Sequence, residues 1–182
     1  VGIKDKTNEE VDFETKEEFY HHQKQLEFIA LDGTKVKSFG ELTILNFFLT
    51  HKINGKNIKV IYESNADWMK YVDEQGRSQT PSPDFYLPEY DIYFEHWSVD
   101  KNNGLHDYYD SEKYIKTMKL KEEKFHEKNK ILIETTFGEF IDDSDFENII
   151  KERLLNALNK TPKDTFFEIS PIPYAELVEK VW

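Results

Sequence analysis

The chain has 182 residues and carries 24 Lys and Arg against 36 Asp and Glu, a formal net charge of −12. That length suits one domain with a real core, and a hydrophobic fraction of 38% with 15% aromatic residues excludes an intrinsically disordered acidic chain. No apolar run nears the ~18 residues of a membrane span, the opening VGIKDKTNEE has no signal pattern, and the lack of Cys excludes disulfides, thiolate nucleophiles and cysteine metal sites. Neither membrane nor secretion is indicated, and a cytoplasmic location is the default expectation. The acidity also opposes a generally basic nucleic-acid surface, because phosphate affinity comes largely from Lys and Arg releasing counterions. Starting on Val in charged, low-complexity sequence, the chain reads as an excised piece of something longer. Residues 1–27 are expected to be a helical arm or linker and residues 28–182 a single α/β domain.

In the arm, His21-His22 sits beside no carboxylate pair at ligand spacing and reads as a solvated face. Phe28 to Leu31 is a short strand ending at the Asp32-Gly33 turn. Ser38 and Glu41 have capping-box spacing, which starts a helix over about 39–52 whose body LTILNFFL is apolar nearly all round and therefore buried. Asn54-Gly55 ends it, and Ile58 to Glu63 is a β-branched, aromatic strand. Asp73 to Pro83, rich in turn residues, is expected to be a long loop. Asp84 to Leu87, then Pro88 to Tyr90, then Asp91 to Trp97 read as strand, turn and strand. Tyr108 to Asn129 has helical spacing and Ile131 to Thr135 is a strand. A helix over Asp145 to Asn159 follows an acidic Asp142-Asp143-Ser144 cap, which lacks the Gly and final Glu of a calcium loop. Tyr174 to Val181 is a terminal helix. The order of elements predicts a mixed sheet flanked by helices.

Three acids merit weighing together, since a divalent cation needs hard oxygen ligands converging from different elements. On a strand of period two, Tyr93, Glu95 and Trp97 share one face and Ile92, Phe94 and His96 the other; a hairpin sets Asp84 beside Glu95. Glu41 lies at one end of the buried helical stripe of Leu45 and Phe48, so a third carboxylate approaches the first two. Singly, Glu41 reads as a capping acid, Asp84 as a turn residue and Glu95 as a residue on a solvated strand face. Jointly, a carboxylate inside an apolar and aromatic strand is costly unless it binds metal or titrates, and the functional reading is favoured.

Pro83-Asp84, a ten-residue gap and Glu95 resemble the PD-(D/E)xK nuclease signature, with Glu41 matching the acid on its first helix. The longer string is Val36-Lys37-Ser38-Phe39-Gly40-Glu41, Asn46 to Leu49, Pro83-Asp84-Phe85, Ile92 to His96 and Leu132 to Thr135. It resembles the nuclease-like domain of some bacterial UvrD/Rep-like superfamily 1 DNA helicases, the helicase IV-like group, over about Phe28 to Thr135. The resemblance implies a restriction-endonuclease-like α/β core of helix, three strands, helix and strand. It makes Asp84 and Glu95 metal-binding carboxylates, Glu41 a further ligand or water-positioning acid, and the backbone carbonyl of His96 another ligand. It implies Mg²⁺ or Mn²⁺ as cofactor and phosphodiester hydrolysis as the chemistry. It implies DNA, single-stranded or unwound, and helicase motor domains of a parent chain as partners, with DNA repair as the context.

The chain departs from that signature where its lysine should stand, two residues after Glu95: the residue is Trp97. The apolar stripe of the following helix, Tyr114, Met118 and Phe125, is broken at Lys121, whose ammonium would point at the sheet. Lys121 is therefore the first replacement for the missing amine, Lys124 the second and Lys101 the third; a snorkelling stem is the competing reading of Lys121. His126 is an accessory acid or phosphate contact, though a lone helical His is more often structural. Trp68, Tyr71 and Trp97 are candidate base-stacking platforms against a default of core packing. No phosphate-binding loop of an ATPase, no zinc protease motif, no nucleophile elbow and no dinucleotide fingerprint occurs. The expectation is a Mg²⁺-dependent nuclease domain beside a helicase motor. The alternatives are a catalytically inactive docking module on the same fold, and an acidic protein-interaction domain with scattered carboxylates.

Overall fold

The computed structural model describes residues 27–99, 111–142, 145–162 and 165–181. The expected arm (all but Glu27), His21-His22, Lys101 and Asp143-Ser144 fall outside these residues.

Ser38 starts the first long helix as expected: it is extended at the N-cap and its hydroxyl accepts the Glu41 N–H at 3.2 Å. The helix, α1, spans Phe39–Thr50 and buries Ile44, Leu45, Phe47 and Phe48. It ends two residues short of Lys52 because the chain passes directly into strand β3 (His51–Ile53). Asn54-Gly55 does not terminate the helix; it joins β3 to β4 (Lys56–Asn57) in antiparallel register. Both residues lie in the left-handed region, φ 49° and 77°, which is what a two-residue hairpin of this hand requires. Two short ladders precede and follow this unit: β1 (Phe28–Ile29) with β2 (Lys35–Val36), and β6 (Tyr71–Val72) with β7 (Ser78–Gln79).

The second of these corrects the expected long loop over 73–83. Asp73 accepts hydrogen bonds from the backbone of Gln75 and Arg77 and from both the Arg77 and Gln79 side chains, which closes the turn as a hairpin. The strand expected over 58–63 is shorter too: only β5 (Ile61–Tyr62) pairs.

The strand–turn–strand expectation is met by β8 (Phe85–Leu87) and β9 (Ile92–Trp97), antiparallel with Phe85 opposite Phe94. Helix α2 (Ser111–Glu127) then returns the chain to β10 (Ile131–Thr136), which runs parallel to β9. The central sheet has the order β10-β9-β8-β5, and β11 (Ile169–Pro171) adds to β3 and β4 in a second sheet. Three further helices are α3 (Phe137–Asp142), α4 (Phe146–Leu158) and α5 (Tyr174–Val181).

Helix α3 has no counterpart among the sequence expectations, yet its cause is local. Thr136 Oγ1 accepts the Glu139 N–H and Glu139 accepts the Thr136 N–H, a complete reciprocal capping box. Of the expected acidic cap on α4, Asp143 and Ser144 lie outside the described residues; Asp145 takes the N-cap place, with no capping hydrogen bond from its side chain.

The result is a mixed α/β fold, with five helices and several small sheets among the described residues. On one face of the central sheet, Phe85, Ile92, Phe94 and Ile133 pack with α1 and with Ile150 and Leu154 of α4. On the other, Tyr93 and Trp97 pack with Phe125 and Met118 of α2. Strand β9 is covered on both faces, so a carboxylate on it enters the interior. No helix is long and apolar enough to cross a membrane, among the described residues.

Candidate active site

Glu95 is only 1% exposed, on the α2 face of β9 as the alternation predicts. Its Oε1 accepts from Lys121 Nζ at 2.8 Å, and the same ammonium donates to the Ser82 carbonyl at 3.1 Å. The polar residue that broke the apolar stripe of α2 therefore reaches the sheet, and its side chain is 13% exposed. Asp84 stands just before β8, at the position that would oppose Glu95 if the ladder continued. Its carboxylate takes the His96 N–H at 2.7 Å in place of a ladder carbonyl. Its own carbonyl accepts the Glu63 N–H at 2.9 Å, so both ends of the residue are fixed. Asp84 and Glu95 are close enough for each to perturb the titration of the other.

Glu41 approaches from α1, 8% exposed. It does not complete the capping box with Ser38: its Oε2 accepts instead from the Lys37 N–H at 2.9 Å and from the Tyr62 hydroxyl at 2.8 Å. Lys37 ion-pairs with Glu63 at the rim, and Glu41 and Asp84 help to raise its pKa.

These carboxyls are protonated more readily than ordinary ones. Burial, then the charge of Asp84, raises Glu41 to about 7. Burial raises Asp84, against the opposing His96 N–H and Lys121 ammonium. Burial and Asp84 hold Glu95 well above the usual carboxylate range despite Lys121. An acid that binds its proton more tightly when folded makes stability fall as pH rises, here from about 4.5 to about 7 for Glu41. In metal-free buffer, wild type should therefore lose melting temperature across that window relative to Glu41→Gln, in a paired thermal-denaturation series.

Trp97 lies beneath this pair. Its indole is 5% exposed, Lys121 Nζ sits 5.6 Å from the ring centroid, and Nε1–H donates to Glu134 Oε2 at 2.7 Å. The His96 ring points the other way: Nδ1 bonds Thr135 Oγ1 at 2.8 Å, Nε2 abuts Gly40, and burial lowers its pKa to about 4. Any role of His96 in binding metal therefore rests on its backbone, as the resemblance implied.

Other candidates stand apart. Lys124 pairs with Glu127 on its own helix at 3.6 Å, and His126 is exposed on a groove beside Glu122 and Lys130. Of the stacking platforms, Trp68 packs edge-on against Tyr93 and Phe125, and Trp97 belongs to the interior. Tyr71 lines a cleft with Arg77, Lys113 and Lys116. Sequence reasoning gave no role to Lys37, Tyr62 or the Ser82 carbonyl. Lys37 carried a usable signal in its place four residues before Glu41; nothing in the sequence ties Tyr62 to it.

Among the described residues, no three Asp, Glu, His or Cys side chains converge closely enough to enclose a metal ion. Mg²⁺ does not need such a cage: it is commonly held by one or two carboxylates, with water and substrate phosphate completing the octahedron. Two neighbouring carboxylates, Glu95 buried and Asp84 half-buried, both held above the usual carboxylate range, fit that donor set, and Glu41 stands outside it as a third acid. Comparisons with protein-family models, with curated proteins and with solved structures find no match.

Proposed function

We propose that this chain is a Mg²⁺- or Mn²⁺-dependent DNA phosphodiesterase on a restriction-endonuclease-like core, working within or beside a superfamily 1 helicase. The observation that carries the reading is the Glu95–Lys121 pair beside Asp84: two carboxylates and an amine gathered from β9, the start of β8 and α2. It supplies the lysine that Trp97 displaced, from the residue the broken helical stripe had singled out.

Asp84 and Glu95 are the residues that would hold the metal. When bound, it supplies a Lewis acid for the phosphate and a water of lowered pKa. Lys121 then faces the region where negative charge develops, in surroundings dry enough for one ammonium to matter. Glu41, at about 7, sits where a carboxyl can take or hold a proton near neutral pH. Lys37 adds a second ammonium at the rim. A net charge of −12 keeps the intrinsic grip on DNA weak and salt-sensitive, so a neighbouring motor is the natural source of an unwound strand.

Incubating single- and double-stranded DNA with the chain should give cleavage with Mg²⁺ or Mn²⁺ and none with chelator. The inactive docking module is favoured by one observation, that Trp97 fills the usual lysine position. DNA binding without cleavage under either metal would decide for it and against catalysis.

A further inference from the structure

Glu134 is the Cα partner of Glu95 in the parallel ladder, so the two carboxylates share the α2 face of neighbouring strands. Like charges side by side repel, yet Glu134 is turned to the indole of Trp97, whose Nε1–H it accepts at 2.7 Å. Trp97 is thereby fixed at both ends: its ring is packed among Val99, Met118 and the α2 residues Tyr114 and Ile115, and its N–H is held by Glu134. Over that ring lies the Lys121 ammonium. A lysine on a four-carbon stem has many rotamers, and a fixed aromatic face within about 6 Å restricts them by cation–π attraction.

We propose that Trp97 and Glu134 are positioning residues for Lys121, forming a platform that holds the helix-borne amine against Glu95 in place of a lysine on the strand itself. The proposal rests on the nuclease reading for its catalytic consequence but not for its structural one. The Glu134 carboxylate orients the indole; the indole orients the ammonium; the ammonium meets Glu95. Nothing in this relay touches substrate.

The two parts separate experimentally. In NMR spectra of ¹³C-lysine-labelled protein, assigned by Lys121→Arg, the Lys121 ε-methylene is expected upfield of the other lysines through the indole ring current. Glu134→Ala and Trp97→Leu should return it to the ordinary position; Glu134→Gln, which keeps an oxygen for the indole N–H, should not. With Mg²⁺ and DNA, Glu134→Ala should lower kcat about tenfold or more at unchanged KM, with Glu134→Gln near wild type. A Lys121 resonance indifferent to Glu134→Ala overturns the platform; a shifted resonance with undiminished kcat overturns its catalytic consequence. If wild type cleaves nothing, the nuclease reading fails and the resonance alone decides the platform.

Discussion

Asp84→Asn is expected to remove metal-dependent cleavage, a loss of about 10³-fold or more, while leaving the fold intact. Asparagine keeps a side-chain oxygen where Asp84 accepts the His96 N–H, so the bond that ends the β8–β9 ladder survives. What it loses is charge. A half-buried carboxylate beside a buried one is a cost to the metal-free protein, and removing it is neutral or mildly stabilising, within about 1 kcal/mol. The same charge is what a divalent cation needs. Activity and stability should therefore move apart, measured by DNA cleavage and thermal denaturation of one preparation. Equal cleavage by wild type and Asp84→Asn would remove Asp84 from the site.

Gly40→Ala should be the most damaging small substitution for the fold. Alanine is the better helix former by about 1 kcal/mol. At this position, however, the new Cβ would lie 2.2 Å from His96 Nε2 and within 3.0 Å of two ring carbons. The ring has little room to retreat: Thr135, itself fully buried, holds Nδ1, and Phe140 and Phe146 pack edge-on against it. Overpacking of this kind costs about 1–3 kcal/mol, and more when backbone must move, so it exceeds the helical gain. His96 also lends its N–H to Asp84, so the displacement reaches the site. Denaturant melts should show Gly40→Ala destabilised by about 2 kcal/mol. Pairing it with His96→Ala should recover part of that loss, since the two changes share one volume.

What was legible in the sequence was what local pattern fixes. The alternation of Ile92 to Trp97 placed Glu95 and His96 on opposite faces, and a lysine out of keeping with its apolar stripe placed Lys121 against the sheet. Both follow from periodicity, which survives folding wherever an element is buried on a defined side. Less legible were features decided by partners remote in sequence. Ser38 and Glu41 have the spacing of a capping box, but Tyr62 and the Lys37 N–H hold the carboxylate elsewhere. Thr136 and Glu139 have the same spacing and do form the box, and α3 was missed because it follows β10 without a loop. Asn54-Gly55 carried the hairpin signal, but the preceding apolar helix invited reading it as a stop. The hairpin over 71–79 was hidden because one side chain, Asp73, does the work of an apolar ladder.

Trp97 stands where the resemblance expects a lysine. In the fold its indole contacts Lys121 and Glu134, and Lys121 reaches Glu95 from α2. The acid count of the chain changes meaning in the same way. Glu41 and Glu95 are buried and Asp84 half-buried, all three raised in pKa, and on the proposed reading the charge of Asp84 and Glu95 is what a cation would draw on.

The central claim is that Asp84 and Glu95 together hold a divalent cation, and Mn²⁺ binding followed by electron paramagnetic resonance at neutral pH addresses it without requiring turnover. Wild type should bind one Mn²⁺ that Mg²⁺ displaces, and Asp84→Asn and Glu95→Gln should each abolish that site. Mn²⁺ bound equally by wild type and both variants, or by none of them, would contradict the account.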